Sequence, residues 1–196
     1  MTRGNFSYKG LPIFNDCNVT LTAGEHLLII GPSGSGKTTF LKVCQGLITL
    51  DDGEAKINDR LVTDDTRKIL SCNIARVMQE DSAIARSIID HITFRDPFPD
   101  MDNVVACAKL VFFCEDILCY PLAYDRNIYE MDQSLSAGQC QKILLARALY
   151  RKPDRLFLDE GAAHLDQHTA FTIMQRILAT EVTCIYATHI SGLAPL

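Results

Sequence analysis

Between Asn5 and Leu28 short apolar runs alternate with the turn signals Gly10-Leu11-Pro12 and Ala23-Gly24-Glu25, which predicts strands and a hairpin-rich start. Leu27 to Ile30 reads as a buried strand that runs straight into a glycine-rich loop. Beyond that loop Phe40, Leu41, Cys44, Leu47 and Ile48 recur at helical spacing. Asp51-Asp52-Gly53 predicts a turn into a strand-like piece from Glu54 to Leu61, and Arg76 to Met78 predicts a short strand ending at Gln79. From Asp81 to Leu122 the period becomes helical, with Val104, Val105, Ala108 and Phe112 on one face and Pro97, Pro99 and Pro121 as breaks. Ser136 opens a further helix whose Ile143, Leu144 and Ala148 share a stripe and which Lys152-Pro153-Asp154 closes. Leu156 to Leu158 and Val182 to Ala187 are apolar runs of strand length that end at Asp159-Glu160 and Thr188-His189. This order of strands, helices and crossovers predicts a mostly parallel α/β sheet in a single domain over residues 1–196. A β-rich N-terminal portion and a helical subdomain over about 81–151 complete it.

With 196 residues, 47% of them hydrophobic and 22% charged, the chain has enough apolar surface for one sizeable core. Its net charge is −5 and its Lys and Arg residues are scattered, so no basic stripe offers a nucleic-acid footprint. Charges interrupt every apolar run well short of the roughly 20 residues of a membrane-spanning helix, so the chain is not expected to cross a bilayer itself. Met1 to Gly10 lacks the basic start and apolar stretch of a secretory signal. Eight cysteines are many, but none forms a Cys-x-x-Cys pair and no His stands at zinc-finger spacing, which argues against a metal site built on thiolates. They read as reduced thiols, several packed as small apolar side chains. A redox-active group of Cys107, Cys114 and Cys119 is the alternative.

Three segments carry chemistry. Gly31-Pro32-Ser33-Gly34-Ser35-Gly36-Lys37-Thr38 matches G-x-x-x-x-G-K-[ST] in full and lies between a predicted strand and a predicted helix. Glycines let the backbone wind tightly enough to turn consecutive N–H groups inward, and the helix N-terminus adds partial positive charge, so phosphates are cradled by main chain. Lys37 brings a formal charge to the β- and γ-phosphates and Thr38 a hydroxyl to Mg²⁺. Second, the strand Leu156-Phe157-Leu158 delivers Asp159 and Glu160 to its carboxyl end, where open α/β sheets bind ligands. Beside a phosphate loop, Asp159 suits the metal and Glu160 suits the orientation or deprotonation of an attacking water. Third, Leu135-Ser136-Ala137-Gly138-Gln139 reads locally as a capping box, Ser136 capping a helix and Gln139 reaching back. A capped helix start with a bare Gly138 is also a place to receive a γ-phosphate.

Together these segments resemble the ATPases of ABC transporters over nearly the whole chain, the third being similar to the Leu-Ser-Gly-Gly-Gln signature of that family. The resemblance implies a phosphate-loop NTPase core of the ABC type that binds ATP and Mg²⁺, hydrolyses ATP as one half of a dimer, and docks on a transmembrane partner at the cytoplasmic face of the membrane. It implies that Tyr8 stacks on adenine and that Gly31, Ser33, Gly34, Ser35, Gly36, Lys37, Thr38 and Thr39 hold the phosphates. It implies that Thr38, Gln79 and Asp159 serve the metal, that Glu160, His189 and Lys37 act in catalysis, and that Ser136, Gly138, Gln139 and Asp166 face the opposite subunit. Ile88 to Ile92, Asp100-Met101 and Cys107 to Leu110 are similar to the helical subdomain of bacterial peptide and bacteriocin exporters of the colicin V secretion type. Glu130-Met131 is similar to the acidic loop that couples such exporters to their membrane helices.

The chain departs from the family pattern at Ala137, where a methyl replaces the first signature glycine, and at Cys140, where a basic residue is usual. Asp132 replaces a glycine, Gly161-Ala162-Ala163 stands where Ala-Thr-Ser is usual, and the chain ends at Leu196, which predicts a C-terminally short fold. Two alternatives stay open. One is an ABC ATPase that remodels ribosomes or DNA, although such relatives carry paired domains or long insertions. The other is an ATP-gated module without turnover, which Ala137 and the short end favour and which Glu160 and His189 oppose.

Overall fold

A computed structural model describes residues 1–63, 65–66, 73–81, 86–128 and 135–189. The chain opens with a hairpin of β1 (Thr2–Tyr8) and β2 (Leu11–Cys17), turned at Lys9 and Gly10, whose φ values of 50° and 80° are both positive. Next come β3 (His26–Ile30) and α1 (Lys37–Cys44). β4 (Asp52–Glu54) then joins β1 to make a three-stranded antiparallel sheet in the order β2-β1-β4. β5 (Lys56–Ile57) and β6 (Arg60–Leu61) form a small hairpin. After β7 (Ile74–Val77), the ribbon of β8 (Arg86–Ser87) and β9 (Asn127–Ile128) brackets α2 (Ile88–Thr93), α3 (Met101–Leu110) and α4 (Cys114–Leu118). The long helix α5 (Ala137–Tyr150), β10 (Arg155–Asp159), α6 (Gln167–Leu178) and β11 (Thr183–Thr188) follow.

The second main sheet runs β3-β11-β10-β7, and every neighbouring pair in it is parallel, as predicted. Alternation along β10 divides the core. Leu156 and Leu158 enter the larger cluster with Ile143, Leu145, Ile173 and Ile177, whereas Phe157 packs on the other face with Leu41, Ile185 and Ala187. Full burial of each such side chain contributes about 1.5–3 kcal/mol. Burial on both faces explains why β10 and β11 are nearly continuous apolar runs in the sequence. Ser87, Asp100, Ser136 and Asp166 cap α2, α3, α5 and α6 by accepting a bond from the backbone N–H three residues on.

Four details differ from the sequence pattern. Leu27 to Ile30 is only partly buried, Ile30 being 45% exposed, because β3 is an edge of the described sheet. Leu47 and Ile48 lie beyond α1, which stops where Gly46 (φ 72°) and Leu47 donate to the carbonyls of Val43 and Lys42 at 2.9 and 2.8 Å, a Schellman ending. Glu54 to Leu61 is broken at Asn58 and Asp59, whose φ values of 49° and 60° make the tight turn between β5 and β6. Phe112 falls outside α3, at φ 53°, where the Arg176 guanidinium stacks 3.8 Å from its ring centre. Glu130-Met131, Asp132 and Cys72 lie outside the described residues.

Candidate functional site

β3, β10 and β11 all point their carboxyl ends toward one cleft of about 1040 Å³. The glycine-rich loop enters it directly from β3, its Gly31 N–H donating to the Thr188 carbonyl at 3.3 Å. Gly34 and Gly36 sit at φ 79° and 88°, and a Cβ on Gly36 would collide with a methyl of Ile13. Gly36 is also the N-cap of α1, so no side chain occupies the first-turn N–H groups there, and no acidic residue stands in that turn. The Lys37 ammonium folds over the loop and donates to the carbonyls of Gly31 and Pro32 at 2.8 and 2.9 Å. Phe14 joins the hairpin to α1 by an edge-on contact with Phe40, ring centres 6.1 Å apart.

Opposite the loop, buried Asp159 accepts a bond of 2.6 Å from the Thr38 hydroxyl. A hydroxyl and a carboxylate brought together across 121 residues are two oxygen donors side by side, and Gln79, a residue whose side chain carries an amide oxygen, lines the same cleft. An all-oxygen set of this kind fits a hard divalent cation such as Mg²⁺. Glu160 is 9% exposed, and its Oε1 lies 2.9 Å from the Nδ1 of exposed His189 while its Oε2 accepts from the Thr188 hydroxyl at 3.2 Å. The turn carrying Gln79 is held by Asp81, which accepts from the Met78 N–H at 3.1 Å and pairs with Arg147 of α5 at 3.4 Å. Burial pushes the Arg147 guanidinium down from its ordinary pKa, against the pull of Asp81.

Of the residues singled out in the sequence, Tyr8, Ser33, Gly34, Gly36, Lys37, Thr38, Thr39, Gln79, Asp159, Glu160 and His189 line this cleft. Tyr8 is 60% exposed at the end of β1, with the Lys9 ammonium 5.5 Å from its ring centre. Gly31 and Ser35 belong to the loop without lining the cleft. Ser136, Gly138, Gln139 and Asp166 do not line it either, although their neighbours Ala137 and Cys140 do. Ser136 and Gln139 complete the capping box at 3.1 and 3.0 Å. Gly138 has a reason within the chain, since a Cβ there would come 2.9 Å from the His164 carbonyl. Asp166 caps α6, and hydrogen bonds from the Thr169 hydroxyl and N–H hold its carboxyl below the usual range.

Two residues of the site carry no recognised motif. Thr188 holds Glu160 as described, and Gln141 of α5 donates to the Glu160 carbonyl at 2.9 Å and accepts from the His164 N–H at 2.8 Å. A signal for Gln141 was present: it is a polar residue on the stripe that Leu144, Leu145 and Ala148 bury.

A sequence profile of the ABC transporter family matches residues 14–163. The colicin V secretion/processing ATP-binding protein CvaB of Escherichia coli is 35% identical over 188 residues, which are 94% of this chain and 26% of that protein. The exotoxin translocation ATP-binding protein PaxB of Pasteurella aerogenes is 34% identical over 91% of this chain and 26% of its own length. Among solved structures, a bacterial Atm1-family ABC exporter with ATP bound superposes with a TM-score of 0.88 at 25% identity, covering 98% of this chain and 35% of that one. The chain thus spans about a quarter of the length of these curated relatives.

Proposed function

The chain belongs to the ABC transporter family, and from that premise we propose that it is an ATP-binding and ATP-hydrolysing domain that powers export of a peptide or protein. On this reading it is a single domain whose helical part runs over about 81–151. It works at the cytoplasmic face of a membrane, paired with a second copy or equivalent domain and docked on a transmembrane partner; nucleic acid is not a partner. The names of the relatives, secretion and translocation proteins, support the export direction. Among the described residues no helix is long and apolar enough to cross a membrane, so the membrane-spanning part of such an exporter is not among them.

The observation that carries the chemistry is the Glu160 carboxylate, buried and fixed by Thr188 and His189 in the same cleft as the phosphate loop. Tyr8 stacks on adenine, while the main chain of Ser33, Gly34, Ser35, Gly36 and Thr39 surrounds the phosphates. Lys37 exchanges its two carbonyl partners for phosphate oxygens. Thr38, Gln79 and Asp159 would hold Mg²⁺, which neutralises charge on the phosphates. A water placed in line with the γ-phosphoryl group gives its proton to Glu160 as its oxygen bonds to phosphorus and the bond to ADP breaks. His189, bonded to Glu160, holds the γ-phosphate, and Ser136, Gly138 and Gln139 of the paired domain close over it, with Asp166 crossing between the two.

Glu160→Gln keeps the size of the side chain and removes the base. Phosphate release from MgATP should fall by roughly 100-fold or more while MgATP affinity stays within a few-fold. A variant that turns over at the parent rate removes Glu160 from the mechanism. An ATP-gated module without turnover is the reading that the exposed methyl of Ala137 in the cleft favours. Binding of MgATP without phosphate release by the parent chain would select it.

A further inference from the structure

Glu160 has a backbone φ of 54°, in the left-handed region that a non-glycine residue occupies only when its surroundings hold it there. Its N–H donates to the Ala187 carbonyl at 2.9 Å, which ties it to the end of β11. Its carbonyl accepts from the Ala163 N–H at 3.0 Å and from the Gln141 amide at 2.9 Å. The other end of that amide accepts from His164 N–H at 2.8 Å, so one side chain, 7% exposed, joins the residue carrying the carboxylate to the loop four residues on. Packing alone would favour an apolar residue here, because a buried amide is costly unless both ends are satisfied. Both ends of Gln141 are satisfied, by main chain of the segment from Glu160 to His164.

We propose that Gln141 is a positioning residue for Glu160: its amide locks the left-handed turn from which the carboxylate meets Thr188 and His189. The helix that carries it is the one whose first turn is proposed to face the paired domain's nucleotide, and in this respect the inference rests on that reading. Gln141 lines the cleft, but both ends of its amide are bonded to main chain, so it is proposed to act through the backbone of Glu160 and the loop that follows.

Two substitutions test it. Gln141→Met keeps the volume and removes both bonds. Gln141→Glu keeps the acceptor for His164 and loses the donor to Glu160 unless its carboxyl is protonated. For Gln141→Met, kcat should fall about 10- to 100-fold with KM for MgATP within about twofold, the cost of a misplaced reacting group. The ratio of Gln141→Glu to parent turnover should climb as pH falls, since burial favours the protonated carboxyl, while the Gln141→Met ratio stays flat. In a Glu160→Gln background, Gln141→Met should remove no further activity. Parent-level turnover in Gln141→Met, or the same fold loss in both backgrounds, overturns the proposal. A crystal structure of either folded variant reads the residue directly and needs no turnover. A Glu160 φ that has left the positive range supports the proposal, and an unchanged φ with the carboxylate still on His189 overturns it. Absence of phosphate release by the parent chain would instead count against the proposed ATPase mechanism, leaving this structural readout intact.

Discussion

Lys37 shows how much of the proposed site is built before a ligand arrives. Its ammonium already bonds the Gly31 and Pro32 carbonyls, so its charge is desolvated in part and aimed at the loop that surrounds the phosphates. Binding trades those two contacts for charge-assisted bonds to phosphate oxygens, each contributing on the order of 1.5–3 kcal/mol. Lys37→Ala should therefore weaken MgATP binding by about tenfold to a hundredfold, measured by titration calorimetry on a chain that still unfolds cooperatively. Unchanged affinity would remove the loop from the binding site.

At the scale of elements, α5 carries the clearest local signal and the least visible contact. Ser136→Ala removes the hydroxyl that accepts from the Gln139 N–H at 3.1 Å. Loss of an N-cap of this kind costs about 1 kcal/mol, so thermal unfolding without nucleotide should begin roughly 2–4 °C lower. A Tm identical to the parent's would mean that the cap contributes nothing. The cap, the phosphate loop and the acidic strand end were legible because each places its chemistry on contiguous residues. The strands β10 and β11 were legible because burial on both faces leaves an unbroken apolar run. The end of α1 is not legible from period alone, because Leu47 and Ile48 prolong the helical spacing past Gly46, the glycine at which the helix stops. The break at Asn58-Asp59 needed both residues to accept positive φ, which two short polar side chains allow without a glycine to announce it. For Gln141 the sequence shows only a polar residue on a buried stripe, because its partners are backbone atoms 19 and 23 residues away, which a residue pattern does not identify.

Two predictions belong to the whole molecule. Burial pushes the thiols of Cys44 and Cys184 from 9.0 up to about 12 and that of Cys107 up to about 11. The folded chain then keeps protons that the unfolded chain releases, so the contribution to stability is full below about pH 9 and shrinks as pH rises from there toward 12. Urea midpoints measured from pH 8 to pH 11 should fall across that window; a flat profile would contradict the burial of these thiols. The proposed pairing of two domains predicts that phosphate release per molecule rises with protein concentration, and that Glu160→Gln with MgATP sediments as a dimer because the closing ligand is no longer consumed. Specific activity constant across the dilute range, with no dimer in that variant, would count against the shared site.

The strand order carries one more consequence, a mechanical one. Asp159 ends β10 with Glu160 just after it, and Thr188 ends β11 with His189 just after it; these are the two interior strands of the described parallel sheet. Their registers pair Arg155 with Thr183 through to Asp159 with Ala187, and each strand has a second parallel neighbour on its outer side. A pull on the carboxylate or the imidazole along the strands loads this ladder in shear, with all of its bonds sharing the tension at once. A pull across them would peel the bonds one by one. On the proposed function, a load applied at the nucleotide along β10 and β11 is therefore carried by this ladder in shear.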